Sequence, residues 1–170
     1  MYKAEDILSE REKRIEYQEE LVKKYKMPVL VIRVNYPGIN KNNYLSKGIS
    51  KIMEQLICEM IPNHIKYKIT QITAEGPIVI MVLNKNARDI KLMTINIEDT
   101  HVLGRCVDID VYDEKCIGIS RGEFGLEMRK CYICDDIAHN CIRSQKHSKE
   151  EVEGFIKLKF EVYMEKLYER

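Results

Sequence analysis

The sequence has almost no net charge, no tryptophan and no long apolar run. Its 28 lysine and arginine residues balance 27 aspartate and glutamate residues, for a net charge of +1, so no overall field recruits nucleic acid or a membrane surface. No apolar stretch approaches the roughly 20 residues of a membrane-spanning helix, and the first residues lack the basic-then-apolar pattern of a signal peptide. We therefore expect a cytoplasmic protein that binds any anionic ligand through local groups.

What the sequence contains suits one globular domain. With 170 residues, 45% of them hydrophobic, the chain is long enough to bury a substantial core. Helices are predicted, from apolar residues that recur with helical spacing, over residues 6–25, 44–60 and 86–100, and after the capping box of Ser148 and Glu151. Strands are predicted over residues 29–34, 64–73, 78–83 and 104–111, with 115–121 as a hairpin partner of the last. This order predicts an α+β fold over residues 1–170, with helices packed on a mixed or antiparallel sheet.

Two carboxylates, Asp108 and Asp110, lie two residues apart in a β-branched run. Side chains at positions i and i+2 of a strand leave on the same face, so the two carboxylates should point together while Val107, Ile109 and Val111 point the other way. Because like charges this close repel each other, a cation should neutralise them, and Mg²⁺ suits one or two carboxylates plus substrate phosphates. The pattern is typical of phosphoryl- and nucleotidyl-transfer sites. The alternative is a solvated acidic pair at the edge of a sheet.

Basic residues flank the acidic pair. We expect Arg105 to bind a phosphate and Gly104 to let the backbone approach it. A hairpin formed by residues 115–121 would return Arg121 to the neighbourhood of Arg105. Further candidates for substrate binding are Lys41, Lys91 and Arg129. Taken alone, each of these basic residues also fits an exposed surface position.

Cysteine and histidine cluster between residues 131 and 147. The spacing Cys-x₂-Cys-x₆-Cys-x₅-His is formed by Cys131, Cys134, Cys141 and His147. Three thiolates and one imidazole match a closed tetrahedral zinc site of the structural type, and His139 competes with His147 as the fourth ligand. The alternative is that the cysteines are small buried hydrophobic residues. Disulfides are not expected in a cytoplasmic protein.

The order and spacing of these motifs resemble the CitX family over nearly the whole chain. The segments that carry the resemblance are Ala87–Lys91, Ile97–Glu98, His101–Arg105, Asp108–Val111, Ile119–Arg121 and Arg129–Cys134, together with Cys141 and His147. The first half agrees through Asn35–Gly38, the following Lys41, and Gly76–Pro77.

The resemblance implies an activity. Enzymes of this family transfer the 2′-(5″-phosphoribosyl)-3′-dephospho-CoA unit from its triphosphate precursor to a serine of the apo acyl-carrier subunit of citrate lyase, and release pyrophosphate. We therefore expect a nucleotidyl-type transferase in which Asp108 and Asp110 hold Mg²⁺ or Mn²⁺ while Arg105 and Arg121 bind the triphosphate, with help from Lys91. One of the two aspartates is expected to deprotonate the serine.

The sequence departs from the family pattern in one run. The usual His-Pro-Leu-Gly-Arg-Leu-Trp/Phe-Asp has Val102 in place of the proline, and Cys106 and Val107 in place of the leucine and the aromatic residue. Since Val107 should face away from the carboxylates, we expect altered packing and the same chemistry. The spacing Gly-Arg-x-x-Asp-x-Asp is tighter than in polymerase-β-like nucleotidyltransferases, so a nucleotidyltransferase-like fold is left open.

Two other functions are compatible with parts of the sequence. One is the equivalent transferase for the acyl-carrier subunit of malonate decarboxylase. The other is a zinc-knuckle module that binds nucleic acid, which the near-neutral charge disfavours.

Overall fold

The computed structural model describes residues 2–169. The helices in this range are α1 (Ala4–Tyr25), α2 (Tyr44–Met60), α3 (Ala87–Thr100), α4 (Ala138–Ser144) and α5 (Lys149–Tyr168). The strands are β1 (Val29–Val34), β2 (Ile65–Thr73), β3 (Gly76–Leu83) and β4 (Val107–Tyr112). Short 3₁₀ turns are formed by Pro62–His64, Gly104–Cys106 and Arg121–Phe124. The predicted α+β class is confirmed.

The strands form one sheet in the order β2-β3-β1-β4, and all neighbouring strands are antiparallel. The two central strands, β1 and β3, are covered on both faces, which explains why both are nearly continuous apolar runs. The edge strand β2 instead alternates between half-buried and exposed residues. Burial on one face only gives this alternation.

Helices pack against both faces of the sheet. Leu30 and Ile32 of β1 point into a core that α2, α3 and α5 close with residues such as Met53 and Ile156. The alternate residues of β1, Val29 and Val31, point into a smaller core closed by α1. Arg33 follows these two on the α1 face, at the end of the strand, and lies opposite Asp108 in the antiparallel register.

A buried ion pair attaches α1 to the β2–β3 turn. Arg14 donates to the Glu75 carboxylate from Nε at 2.7 Å and from Nη2 at 3.2 Å, and also donates to Gln18 at 2.9 Å. The side chains of Arg14 and Glu75 are only 6% and 7% exposed. Because neither charge is well solvated, each depends on the other.

Side chains from α3 satisfy the outer edge of β4. The backbone N–H of Ile109 donates to Glu98 Oε1 at 2.9 Å, and the Lys91 ammonium donates to the Ile109 carbonyl at 3.0 Å. An edge strand presents unpaired backbone groups that another strand could bind. Here Glu98 and Lys91 occupy the position that another strand would need.

The predicted hairpin partner at residues 115–121 is wrong. Beyond Tyr112 the chain forms one isolated bridge, between Tyr112 and Gly118, and then enters the 3₁₀ turn at Arg121. Pairing stops because the outer edge of β4 is already occupied at Ile109. The preceding strand is also shorter than predicted, since residues 104–106 form a 3₁₀ turn.

Among residues 2–169, no helix combines the length and the apolar character required to cross a membrane.

Replacing Glu75 with alanine should lower the free energy of unfolding by about 3 kcal/mol, because the buried Arg14 loses its counter-charge. Lys13→Ala, which removes an exposed ion pair with Glu10 on the same helix, should leave stability unchanged. Urea denaturation followed by circular dichroism measures both. Identical midpoints for the Glu75 variant and the parent would show that the buried pair is not stabilising.

Candidate active site and metal centre

The two carboxylates of β4 share one face of the sheet, as their spacing predicted. Asp108 and Asp110 are partly exposed, while Val107, Ile109 and Val111 are buried in the core on the opposite face. The sheet therefore holds the carboxylates together on a rigid strand.

A cation neutralises this pair, but it comes from the neighbouring strand. Arg33 donates to Asp110 Oδ2 at 2.7 Å and lies 3.9 Å from Asp108 Oδ2. Burial lowers the pKa of Arg33, but the charges of Asp110 and Asp108 outweigh this effect and the pKa is raised. The arginine is thus a fixed positive charge beside both carboxylates.

Arg129 connects Asp108 to the end of α3. Its Nη1 donates to Asp108 Oδ1 at 2.9 Å, and its two terminal nitrogens donate to the carbonyls of Val107 and Gly104 at 3.2 Å. The same guanidinium lies 3.5 Å from Glu98 Oε1. Asn35 adds a further donor to Asp108 Oδ1 at 2.9 Å. Asp108 is therefore oriented by two side chains from different segments.

Glu98 is a buried carboxylate behind the exposed pair. Burial raises its pKa, and this effect outweighs the opposing effects of Arg129 and of the Ile109 N–H. Glu98 links Arg129 to the backbone of β4, so its role in the structure is to position these groups.

Two of the predicted phosphate-binding residues lie beside Asp108. Arg105 lies in the 3₁₀ turn Gly104–Cys106 that precedes β4, and its guanidinium donates to the Lys130 carbonyl. Lys41 is largely buried, and its pKa is lowered mainly by burial and next by the charge of Arg33. Both residues line the same cavity as Asp108 and Arg129.

Other predicted residues lie elsewhere. Arg121, at the start of the 3₁₀ turn Arg121–Phe124, forms an ion pair with Asp99 of α3 at 2.8 Å. Its side chain does not line the cavity. Lys91 is 7% exposed, and its ammonium is bound to the Ile109 carbonyl at the edge of β4. Asp110 is not part of the cavity wall.

Gly104 has a packing reason to be glycine. A Cβ built on Gly104 would lie 2.3 Å from the Ile97 carbonyl oxygen and 2.6 Å from that of Glu98. The residue is buried against the end of α3, so its small size lets the 3₁₀ turn pack on that helix. The predicted close approach of a phosphate is not needed to explain it.

Cys131, Cys134, Cys141 and His147 form a cluster that could bind a metal ion. One potential ligand atom from each residue lies within 4.8 Å of all the others. His147 Nε2 is 3.3 Å from the sulfur of Cys134, which lies 3.5 Å from that of Cys141. The competing residue, His139, is exposed and outside the cluster. The fold therefore brings together the four residues whose spacing predicted a metal site.

The Cys₃His cluster is joined directly to Arg129. The carbonyl of Arg129 accepts from the Ala138 N–H at 2.9 Å, and the Cys131 N–H donates to the Asp136 carbonyl at 2.7 Å. These bonds close the loop that carries two of the cysteines. The loop begins two residues after Arg129, so it fixes the backbone from which this side chain extends.

A cavity of about 780 Å³ is lined both by Asp108 and by residues of the Cys₃His cluster. Its polar wall contains Asn35, Lys41, Arg105, Asp108 and Arg129. A second part of its wall comes from residues 131–152 and is mostly apolar, with Tyr132, Ile133, Ala138, Ile142 and Val152 beside Cys131, Cys141, Gln145, His147, Ser148 and Lys149. The volume is in the range of sites that bind small ligands and cofactors.

The full-length comparison identifies the family. Residues 2–163 match the family described as CitX, apo-citrate lyase phosphoribosyl-dephospho-CoA transferase. The chain belongs to this family.

Individual relatives agree with the assignment. The apo-citrate lyase phosphoribosyl-dephospho-CoA transferase of Citrobacter koseri is 27% identical over 152 residues, covering 86% of this chain and 82% of the relative. The protein of the same name from Escherichia coli O1:K1 is 28% identical over 145 residues, covering 84% and 79%. Protein CitXG of Haemophilus influenzae is 30% identical over 151 residues, which are 87% of this chain but 32% of that longer protein.

Val107, which stands where the family pattern has an aromatic residue, lies in the core. Val107 has no exposed surface and packs with the residues beneath the sheet. A side chain at this position of the fold cannot contact a ligand in the cavity. The replacement of an aromatic residue by Val107 is therefore a change in packing, as expected.

No role was predicted from the sequence for Arg33, Asn35 or Glu98, although the last two lie in segments that carry the family resemblance. One signal was present for Arg33, since it is a charged residue inside the apolar run of β1. Asn35 follows that strand immediately, but its partner Asp108 is 73 positions away. Only the antiparallel pairing of β1 with β4 brings these side chains together.

Gly104→Ala should lower the free energy of unfolding by about 2 kcal/mol, because the added methyl group overlaps backbone carbonyls that cannot move independently. Gly154→Ala in α5 is the matched control, since a Cβ there meets no atom within 4 Å. That control should be neutral or slightly stabilising because alanine favours helix. Thermal and urea melts of both variants test the assignment, and equal stability of the two would contradict it.

Proposed function

We propose that this protein transfers the 2′-(5″-phosphoribosyl)-3′-dephospho-CoA unit from its triphosphate precursor to a serine of the apo acyl-carrier subunit of citrate lyase. The observation that carries the proposal is the family match over residues 2–163, combined with the position of Asp108 on the wall of a cavity lined by arginine and lysine. The serine oxygen forms a bond to the innermost phosphorus. The bond from that phosphorus to the pyrophosphate breaks, and the serine proton passes to a base.

The cationic wall suits the triphosphate. Arg105, Arg129 and Lys41 line the cavity together, and we assign them to the phosphates, with Arg129 also bound to Asp108. Arginine binds phosphate oxygens in a bidentate manner and stabilises the charge that develops on a leaving group. Arg121 and Lys91 are assigned supporting roles, because neither side chain lines the cavity; Arg121 pairs with Asp99, and Lys91 binds β4.

Asp108 and Asp110 suit Mg²⁺ or Mn²⁺. Within residues 2–169, Asp110 Oδ1 and Asp108 Oδ2 accept no hydrogen bond, so each carboxylate retains an oxygen for a metal. Hard divalent ions bind such oxygens together with substrate phosphates. When bound, the ion would neutralise charge on the transferred phosphate and on the pyrophosphate. Asp108 is the better-placed base for the serine proton, because it lines the cavity and Asp110 does not.

The first experiment is intact-mass analysis of the apo acyl-carrier subunit after incubation with this protein, Mg²⁺ and the precursor. The carrier should gain the mass of the prosthetic group. Asp108→Asn should slow the transfer at least about 100-fold, because removing one positioned acid–base or charge-stabilising group typically costs this much. Asp89→Asn, an isosteric change at an exposed residue of α3, is the matched control and should keep the rate.

The same assay distinguishes the alternatives. If a folded, metal-replete protein adds no mass to the citrate lyase carrier but modifies the malonate decarboxylase carrier, the chemistry is correct and the carrier is wrong. If neither carrier is modified, the transferase proposal fails. A zinc-knuckle module for nucleic acid is not favoured, since three of the cluster residues line the cavity beside Asp108.

We further infer that the Cys₃His cluster binds one zinc ion in a closed structural site. Three sulfurs and one imidazole nitrogen at mutual distances under 4.8 Å are the donor set that tetrahedral zinc prefers. The sulfur of Cys134 accepts from the backbone at Asp136 and next from His147, and these bonds lower its pKa to about 6. A thiolate is the form that binds metal. The proposal also places the protein in the cytoplasm, where the thiols stay reduced.

Metal analysis of the purified protein should find about one zinc per chain, and chelation should lower the melting temperature because a structural zinc site contributes to folding. Cys134→Ser should lose the metal, whereas Cys58→Ser, a cysteine outside the cluster, should retain it. Zinc bound equally by the Cys134 variant would overturn the assignment, as would a protein purified without zinc that fails to bind added zinc.

A further inference from the structure

The two walls of the cavity differ in chemistry. One wall carries the charged residues Asp108, Arg105 and Arg129, which the proposed transfer explains. The other is mostly apolar and comes from the segment between Cys131 and α5. A triphosphate and a metal ion are bound by charged and polar groups, so they do not account for the apolar residues of this wall.

Tyr132 is the aromatic residue of this apolar wall, while a second tyrosine, Tyr36, lines the cavity from the loop after β1. Its ring packs parallel to that of Phe155, with centroids 4.3 Å apart and an interplanar angle of 19°. Phe155 belongs to α5 and packs against the core, so it holds the tyrosine ring in place. Tyr132 also lies between two metal-cluster residues in sequence, Cys131 and Cys134, and this restricts its backbone. The ring is therefore a pre-positioned flat surface on the cavity wall.

An exposed isoleucine lines the same cavity as the Tyr132 ring. Ile142 of α4 is 75% exposed although it lines the cavity. A large apolar side chain at the rim of a cavity gains stability when a ligand covers it. The tyrosine and the isoleucine together fit a flat apolar group.

The connectivity of the precursor limits which group this can be. Its triphosphate is attached to a ribose, and that ribose is joined to the 2′ position of the adenosine ribose. When the reacting phosphate lies at Asp108, two ribose rings therefore separate it from the adenine base. The pantetheine arm is attached elsewhere, through the diphosphate at the 5′ position of the adenosine ribose. Adenine is also the aromatic group of the precursor, and stacking needs an aromatic partner.

We propose that Tyr132, supported by Phe155, forms the adenine subsite of the cavity, with Ile142 covering the edge of the base. The inference rests on the proposed function for the identity of the ligand. Aromatic stacking on a nucleic-acid base contributes about 1–3 kcal/mol by substitution, which corresponds to a change in affinity of about 5- to 150-fold.

The absence of tryptophan from the chain permits a direct test. Tyr132→Trp introduces a single indole at the subsite, and its fluorescence should be quenched by 3′-dephospho-CoA. Pantetheine 4′-phosphate, which has the same arm without adenine, should leave the emission unchanged at equal concentration. Equal responses to the two probes, or none to either, would overturn the proposal.

Affinity and kinetics separate stacking from other roles of the residue. Tyr132→Leu should raise the dissociation constant of 3′-dephospho-CoA and the KM for the precursor by about 5- to 150-fold, with kcat changed much less. Tyr132→Phe keeps the ring and should stay close to the parent in both constants. If the phenylalanine variant loses as much affinity as the leucine variant, the hydroxyl is responsible and stacking is not.

Two further controls keep the result unambiguous. Zinc content of each Tyr132 variant reports whether the metal cluster is intact, and Ile142→Ser, at an exposed position that folding does not need, should weaken 3′-dephospho-CoA binding several-fold. Unchanged binding by both Tyr132→Leu and Ile142→Ser overturns the subsite. These binding measurements do not require transfer, so the subsite can fail while the carrier is still modified, and it can stand if the carrier proves wrong.

Discussion

The structure depends on the contacts of one guanidinium group. Arg129 donates to Asp108, to the carbonyls of Gly104 and Val107, and lies beside buried Glu98. A planar arginine with five donors can bind this many acceptors at once, and lysine cannot. Through these contacts the segment after residue 129 is attached to the edge of the sheet.

The same contacts explain why buried charge is tolerated at this edge. Glu98 and Lys91 bind the backbone of Ile109, and Arg129 binds that of Val107. A charge taken out of water is costly unless it is paired and hydrogen-bonded. The hydrogen bonds of Glu98 and Lys91 to Ile109 also end the sheet, because they occupy the outer edge of β4. Beyond them this edge forms only the short contact at Tyr112 within the described residues.

Parts of this arrangement could be predicted from the sequence because they depend on local geometry. Alternation along a strand put Asp108 and Asp110 on one face, and short spacing put Cys131 to His147 in one cluster. The hairpin at residues 115–121 was wrong because it ignored competition from side chains of α3 for the edge of β4. Nothing near Lys91 in sequence reveals that its ammonium binds the carbonyl of Ile109, 18 positions further along the chain.

Other parts arise from the tertiary fold alone. Arg33 and Asn35 reach the carboxylates only because β1 pairs with β4 in one register. Position 104 requires glycine because the Ile97 carbonyl, at the end of α3, leaves no space for a Cβ. The cavity joins the charged wall to an apolar wall that comes from the segment of the Cys₃His cluster. A motif search treats these two walls as separate sites, and the fold makes them one.

The most direct test of this account measures the dissociation constant of the precursor for four proteins. These are the parent, Arg129→Gln, Cys134→Ser and the double variant. If the segment that carries the Cys₃His cluster holds Arg129 in position, Arg129→Gln should weaken binding strongly in the metal-replete protein. The same substitution should have little further effect once Cys134 is replaced, because the effects of coupled residues are not additive. Equal losses in both backgrounds would contradict the account and show that the metal cluster and the arginine act independently.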